Sequence, residues 1–248
     1  MKTTALERDG TYFLNGSKTF ITNGAEADTV VVFATHDTSK GYKGVSAFVV
    51  PRSSPGFQVN PLHGKMGMRG SSTCELVFQD TPVPMESRLG EEGMGFRYII
   101  DSWNVERILV ASESIGDGDW FIDKATEYAK SREVFGRPIG ANQGVQFPIS
   151  QAYAHIRGAD LMRYDAAAKY DREERCGAEA NMAKLLASEA SWEAANVCMD
   201  VHGGYGFAQE YDVERKFRES RLYITAPVNN NLVLAFLGQN VLGMPRSY

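Results

Sequence analysis

Cysteine and histidine are scarce in this chain, which holds three cysteines and four histidines among 248 residues. Cys74, Cys176 and Cys198 lie far apart with no CxxC pair, and the histidines are equally scattered. Neither a disulfide framework nor a metal site is expected. Long apolar runs are missing too, since no stretch approaches the roughly 18 consecutive apolar residues of a membrane span. Met1-Lys2-Thr3-Thr4 leads directly into polar, strand-like sequence without the apolar core of a signal peptide. No basic block is present, and the formal net charge is −5. That balance argues against nonspecific nucleic-acid binding and against a polybasic membrane patch. What remains is a small-molecule partner in a reducing, soluble setting, cytoplasmic or, in a eukaryote, the mitochondrial matrix.

The length allows one large or two small domains and is ample for a buried core. From Thr11 to about Arg88, short β-rich runs alternate with turn signals at Asn15-Gly16 and Asn23-Gly24. That spacing predicts an antiparallel barrel or sandwich. From Gly93 the period becomes helical, with helices predicted at about Gly95–Lys130, Ser150–Arg172, Ala178–His202, Asp212–Arg218 and Asn230–Leu242. Asp80-Thr81-Pro82-Val83-Pro84 reads as the boundary, because two prolines so close together are incompatible with a sheet interior or a helix. The expected fold class is therefore multi-domain α+β, with a β-domain over residues 1–88 and a helical bundle over residues 89–248.

Two patches suit a phosphate. Arg132 to Gln143 contains Arg132-Glu133-Val134-Phe135-Gly136-Arg137-Pro138, and His202-Gly203-Gly204-Tyr205-Gly206-Phe207 is a glycine-rich turn. An arginine offers a planar fork of donors to a pyrophosphate, and glycines let backbone N–H groups approach an anion closely. Taken singly, the glycine turn reads more readily as a loop or helix stop, and Arg132 as a solvated helix-end charge. His202 beside glycines reads as a packed or capping residue.

With these patches joined to Leu14-Asn15-Gly16-Ser17-Lys18, Phe20-Ile21-Thr22-Asn23-Gly24, Lys65-Met66-Gly67-Met68-Arg69-Gly70-Ser71 and Val77-Phe78-Gln79-Asp80, the chain resembles the acyl-CoA dehydrogenases. These flavoenzymes desaturate acyl-CoA thioesters between the α and β carbons. The resemblance implies a β-domain followed by a four-helix domain, bound FAD whose adenine end meets a neighbouring subunit, and a homodimer or homotetramer. It further implies an acyl-CoA substrate, a role in fatty-acid β-oxidation, and an acceptor such as electron-transfer flavoprotein.

The family reaction needs a carboxylate base, and many members place it in a Tyr-Glu-Gly-Thr stretch near the C-terminus. Here a gapless match from Arg218 puts Pro227 at that place. Isovaleryl-type and long-chain-type members instead carry the glutamate on the first long helix, immediately before an arginine. Trp103-Asn104-Val105-Glu106-Arg107 matches that pattern, which makes Glu106 the expected base and Arg107 a substrate-binding residue. Without the resemblance, Glu106 reads as a solvated helix carboxylate. By the same matching, Phe20 stands where many relatives have a tryptophan beside the flavin ring, and Thr22 matches a hydroxyl near N5. On periodicity alone both are ordinary positions of a half-buried strand. Arg132, Phe135 and Gln143 match pyrophosphate and adenine contacts, Gly203 and Gly204 a backbone cradle, and Asn229 and Asn231 the adenosine side. Asp200 stands where many relatives have glutamine, and its charge would disfavour a nearby pyrophosphate unless it turns away.

Family members also carry an N-terminal helical domain and a Ser-Asp segment that this sequence does not include. A fragment, a truncated or split gene, and a non-catalytic assembly subunit are all open readings. An oxidase or monooxygenase on the same scaffold is a further alternative.

Overall fold

A computed structural model describes residues 1–246. The chain divides into two compact units, Met1–Asp101 and Ser102–Tyr248. The first is a seven-stranded sheet formed by β1 (Thr4–Arg8), β2 (Thr11–Thr22), β3 (Thr29–Thr35), β4 (Val45–Pro51), β5 (Phe57–Pro61), β6 (Thr73–Pro84) and β7 (Arg88–Leu89), in the order β5-β6-β2-β1-β3-β4-β7. Its pairings are antiparallel except between β1 and β3. The expected barrel does not close, since β5 and β7 remain as edges. Alternation along β2 buries Tyr12 and Leu14, which join Val32, Phe48, Val50, Phe78 and Val83 in the core. Each such side chain contributes about 1.5–3 kcal/mol when fully buried.

Two expectations fail in this unit for identifiable reasons. Asn15-Gly16 is no hairpin turn but a bulge within β2, where the pairing with β6 shifts between Leu14 and Gly16. Gly16 sits at φ 133, and a Cβ there would lie 2.9 Å from the Thr3 Cα. Glycine is required for both reasons. Likewise, Asp80–Pro84 does not break the sheet, because β6 continues through it opposite β2, with Phe13 beside Pro82 and Thr11 beside Pro84. β5 pairs only as far as Phe78, so this end of β6 has a bare edge where a missing N–H costs no ladder bond.

The second unit is built on α1 (Gly95–Ser131, of which residues from 102 onward belong here), α2 (Gln143–Asp171) and α3 (Gly177–His202), with the short α4 (Val213–Ser220) and α5 (Asn230–Phe236). Helix α2 starts earlier than the predicted Ser150, running through Pro148, which forfeits only the bond to the Gly144 carbonyl. The predicted Asn230–Leu242 helix is α only to Phe236 and then widens to a π-helical turn over Leu237–Val241. The bundle core is rich in small residues: Ala111 of α1, Ala159 and Ala166 of α2, and Ala180, Ala183 and Ala187 of α3 are buried together with Ile108, Ile115 and Ile156. Small side chains let helices approach closely, and at Gly118 a Cβ would lie 2.1 Å from the Ile156 Cδ1.

Candidate functional site

Between α1 and α2 the chain forms a two-strand hairpin, β8 (Glu133–Val134) and β9 (Arg137–Pro138). Its turn residues Phe135 and Gly136 both have positive φ, 55° and 76°, the combination that a type I′ turn demands. Arg132 anchors the hairpin through its backbone, its N–H donating to the Tyr128 carbonyl and its own carbonyl accepting from the Ile139 N–H, both at 2.8 Å. At the end of α3, Gly203 terminates the helix at φ 55, with the Gly203 N–H bonding back to Asp200 and Met199. A single turn of 3-10 helix, Gly203–Phe207, follows.

These two turns meet. Arg132, Gly203 and Gly204 line one open cavity of about 580 Å³ with Tyr128, His202 and Tyr205. The Arg132 guanidinium lies 5.7 Å from the Tyr205 ring centre, a cation–π distance. No heavy atom would come within 4 Å of a Cβ added at Gly203 or Gly204, so their backbone is open to a ligand. His202 is packed as expected: it is buried, stacks on Tyr128 at 4.3 Å, and its Nδ1 lies 2.8 Å from the Cys198 carbonyl. A carbonyl only accepts, so Nδ1 carries the proton, and burial holds the imidazole below its usual pKa. Asp200 is exposed and does not line the cavity; the acid that does is Glu210.

The other expected residues lie elsewhere. Phe135 stands fully exposed at the hairpin tip, at 101%. Gln143 is the first residue of α2, and Asn142 before it makes no side-chain cap bond. Asn229 caps α5, its side chain accepting from the Asn231 N–H at 2.9 Å, and both asparagines are exposed. In the sheet unit, Phe20 is no ordinary strand position. It lies within a second irregularity of β2, between Lys18 and Ile21, at φ 60 and 75% exposed. For a large aromatic side chain, positive φ is a strained conformation. Thr22 is exposed at the end of β2, opposite Thr73.

On α1, neighbours in sequence face different ways. Glu106 is exposed, while Arg107 is buried with its Nη1 donating to the Trp103 carbonyl and to Asn104 Oδ1, each at 3.2 Å. The Arg107 Nε finds no partner among the described residues. Partial desolvation raises the Glu106 carboxyl above its usual pKa, against the opposing pull of Arg107. A carboxylate so raised is a better base near neutrality. Sequence reasoning missed the aromatic side of the cavity, Tyr128 and Tyr205. The available signal was the i, i+4 spacing of Tyr128 and Arg132 on one helical face.

The model of the acyl-CoA dehydrogenase middle domain matches residues 1–81, and that of the acyl-CoA dehydrogenase C-terminal domain matches residues 93–227. This chain belongs to the acyl-CoA dehydrogenase family. An acyl-CoA dehydrogenase of Bacillus subtilis is 39% identical over 98% of the chain and 64% of its own length. The caffeyl-CoA reductase-Etf complex subunit CarC of Acetobacterium woodii is 40% identical over 90% of the chain and 59% of its own length. The solved structure of PigA with FAD and proline superposes with a TM-score of 0.95 at 30% identity, covering 98% of this chain and 63% of that one. The chain thus spans about three fifths of the length of these family members. Among its described residues no helix is long and apolar enough to cross a membrane, and no group of side chains could hold a metal ion.

Proposed function

We propose that the chain is part of an FAD-dependent acyl-CoA dehydrogenase in which Glu106 removes the α proton of an acyl-CoA thioester. The observation that carries this reading is the joining of Arg132 to the open backbone of Gly203 and Gly204 in one cavity, in a chain whose two units match the family. The residues present fit the cofactor. A guanidinium and glycine backbone that a ligand can approach without a Cβ in the way suit a pyrophosphate, and Tyr128 and Tyr205 offer flat faces to an aromatic base. When bound, FAD supplies the hydride acceptor for the β carbon. Glu106 supplies the base, Arg107 stands directly beside it as a buried positive charge, and Phe20 and Thr22 provide an apolar face and a hydroxyl toward the flavin ring. Phe135, Gln143, Asn229 and Asn231 complete the nucleotide contacts, with the hairpin tip reaching a second copy in a homo-oligomer. Electrons then pass to an external acceptor such as electron-transfer flavoprotein.

The test is the visible spectrum of the purified chain before and after anaerobic addition of acyl-CoA thioesters. A flavin spectrum that bleaches supports the reading, and a colourless protein that takes up no added FAD rejects it. Glu106→Gln is expected to slow flavin bleaching by about 10²–10⁴-fold while leaving FAD bound. Unchanged bleaching in that variant removes Glu106 from the mechanism. Because the Glu106 pKa is raised, the acid limb of the wild-type rate profile is expected above its usual 4.5.

A further inference from the structure

Lys184 is fully buried in the middle of α3, yet no part of the reaction described above uses it. Its ammonium donates to the Val228 carbonyl at 2.8 Å, to the Ile224 carbonyl at 3.4 Å and to Asn230 Oδ1 at 2.6 Å. Three N–H donors therefore meet three neutral acceptors, all of them on the segment Ile224–Asn230. Asn230 is held from its other side as well, its Nδ2 donating to Ser188 Oγ at 3.1 Å, one turn further along α3. The Glu189 and Arg107 charges act on the ammonium from α3 and α1 with opposite sign. A buried ammonium held by dipoles alone carries a desolvation penalty that an apolar side chain of similar size would avoid.

What this arrangement holds is specific. Asn230 is buried, whereas Asn229 and Asn231 on either side are exposed and linked to each other by the cap bond. Fixing the rotation of the chain at Asn230 sets the direction in which both neighbours face. We propose that Lys184 is a positioning residue for cofactor binding: by pinning Asn230 and the carbonyls before it, Lys184 presents Asn229 and Asn231 to the adenosine end of FAD. The proposal rests on the flavin reading above.

The experiment combines FAD titration with hydrogen exchange on the wild-type chain, Lys184→Met, Asn230→Ala and the double variant. Lys184→Met is expected to speed exchange at Ile224–Leu232, to leave Ile108–Ile122 protected, and to weaken FAD binding by about tenfold, the loss of a charged buried hydrogen bond. Asn230→Ala is expected to do the same, and the double variant to lose no more than either single one, because both remove one linkage. Independent losses that add in the double variant overturn the proposal. Wild-type affinity retained in Lys184→Met, or unchanged exchange at Ile224–Leu232, also overturns it. Where Lys184→Met does not fold, Asn230→Ala alone decides by the same two readouts. A wild-type chain that takes up no FAD rejects the flavin reading and the positioning role together, whereas tight wild-type binding kept in the variants rejects only the role of Lys184.

Discussion

The two units bury different kinds of side chain. The sheet unit closes around bulky residues, Tyr12, Leu14, Phe48 and Phe78, and its buried polar groups are small hydroxyls such as Thr3, Thr35, Ser46 and Thr81. The helical unit closes around alanines and also encloses Arg107, Asp117, Asn181, Lys184 and His202. The difference follows from geometry. A sheet face presents alternate residues to one apolar layer, and large side chains fill it. Helices brought close by small residues leave long side chains from the flanking positions to run between the cylinders, where a polar tip reaches backbone at a helix end. Charged chemistry is therefore lodged in the helical unit, while the sheet unit carries its conspicuous features, Phe20 and Thr22, in and beyond the irregularity near the end of β2.

Substitutions in the two cores should break this contrast in opposite ways. Phe78→Ala is expected to destabilise the sheet unit by about 3–5 kcal/mol through the cavity it leaves. Ala183→Leu is expected to destabilise the helical unit by about 1–3 kcal/mol through overpacking between α2 and α3. Denaturant unfolding checks both, and all three tryptophans, Trp103, Trp120 and Trp192, lie in the helical unit, so their fluorescence reports that unit alone. A tolerated Ala183→Leu would show that the helices are not closely apposed there.

A smaller effect separates two glycines of α1. Gly116 is exposed with open space around it, and Gly116→Ala should stabilise by about 1 kcal/mol through helix propensity. Gly118 faces Ile156, whose Cγ1 would lie 2.9 Å from an added Cβ, so Gly118→Ala should destabilise despite the same propensity gain. Thermal melts of the two variants are expected to shift in opposite directions.

A further contrast is in pH dependence. In the sheet unit, the hydrogen bond from Tyr12 and the nearby His36 and Arg88 hold the Glu92 carboxyl below its usual 4.5. A lowered carboxyl contributes stability above its unfolded pKa that is lost as pH falls through the folded one. In the helical unit, burial pulls Lys184 down to about 8 from 10.5. The unfolded chain then binds more protons between those values, so this group makes stability rise as pH increases from about 8 to 10.5. Lys184→Met is expected to flatten tryptophan-detected stability across that window while leaving the acid transition unchanged. An equal slope in the variant would assign the alkaline dependence to other groups.

Much of the fold could be read directly. The change from short alternating runs to long 3.6-period runs near Gly93 located the helical part, and α1 and α3 begin and end close to their predicted limits. The errors share a cause. Asn15-Gly16, Pro82 and Pro84 follow local preference in the sequence, yet a bulge against Thr3 and a bare sheet edge removed the usual penalty. In the site, the patch from Arg132 to Gln143 and the glycine turn were legible as separate motifs, but the hairpin that the first of them forms was not. Their meeting was not, nor were the aromatic walls supplied by Tyr128 and Tyr205.

By itself, the sequence determined the family, the order of the elements and the residue types able to hold a nucleotide, because periodicity and short motifs are local properties of the chain. Only the tertiary structure decided that Arg132 stands beside Gly203 and Gly204, that Glu106 faces outward while Arg107 is enclosed, and that Lys184 grips Ile224–Asn230. Those outcomes depend on which helix faces are buried against one another, and burial is settled by the whole packed chain rather than by any segment of it.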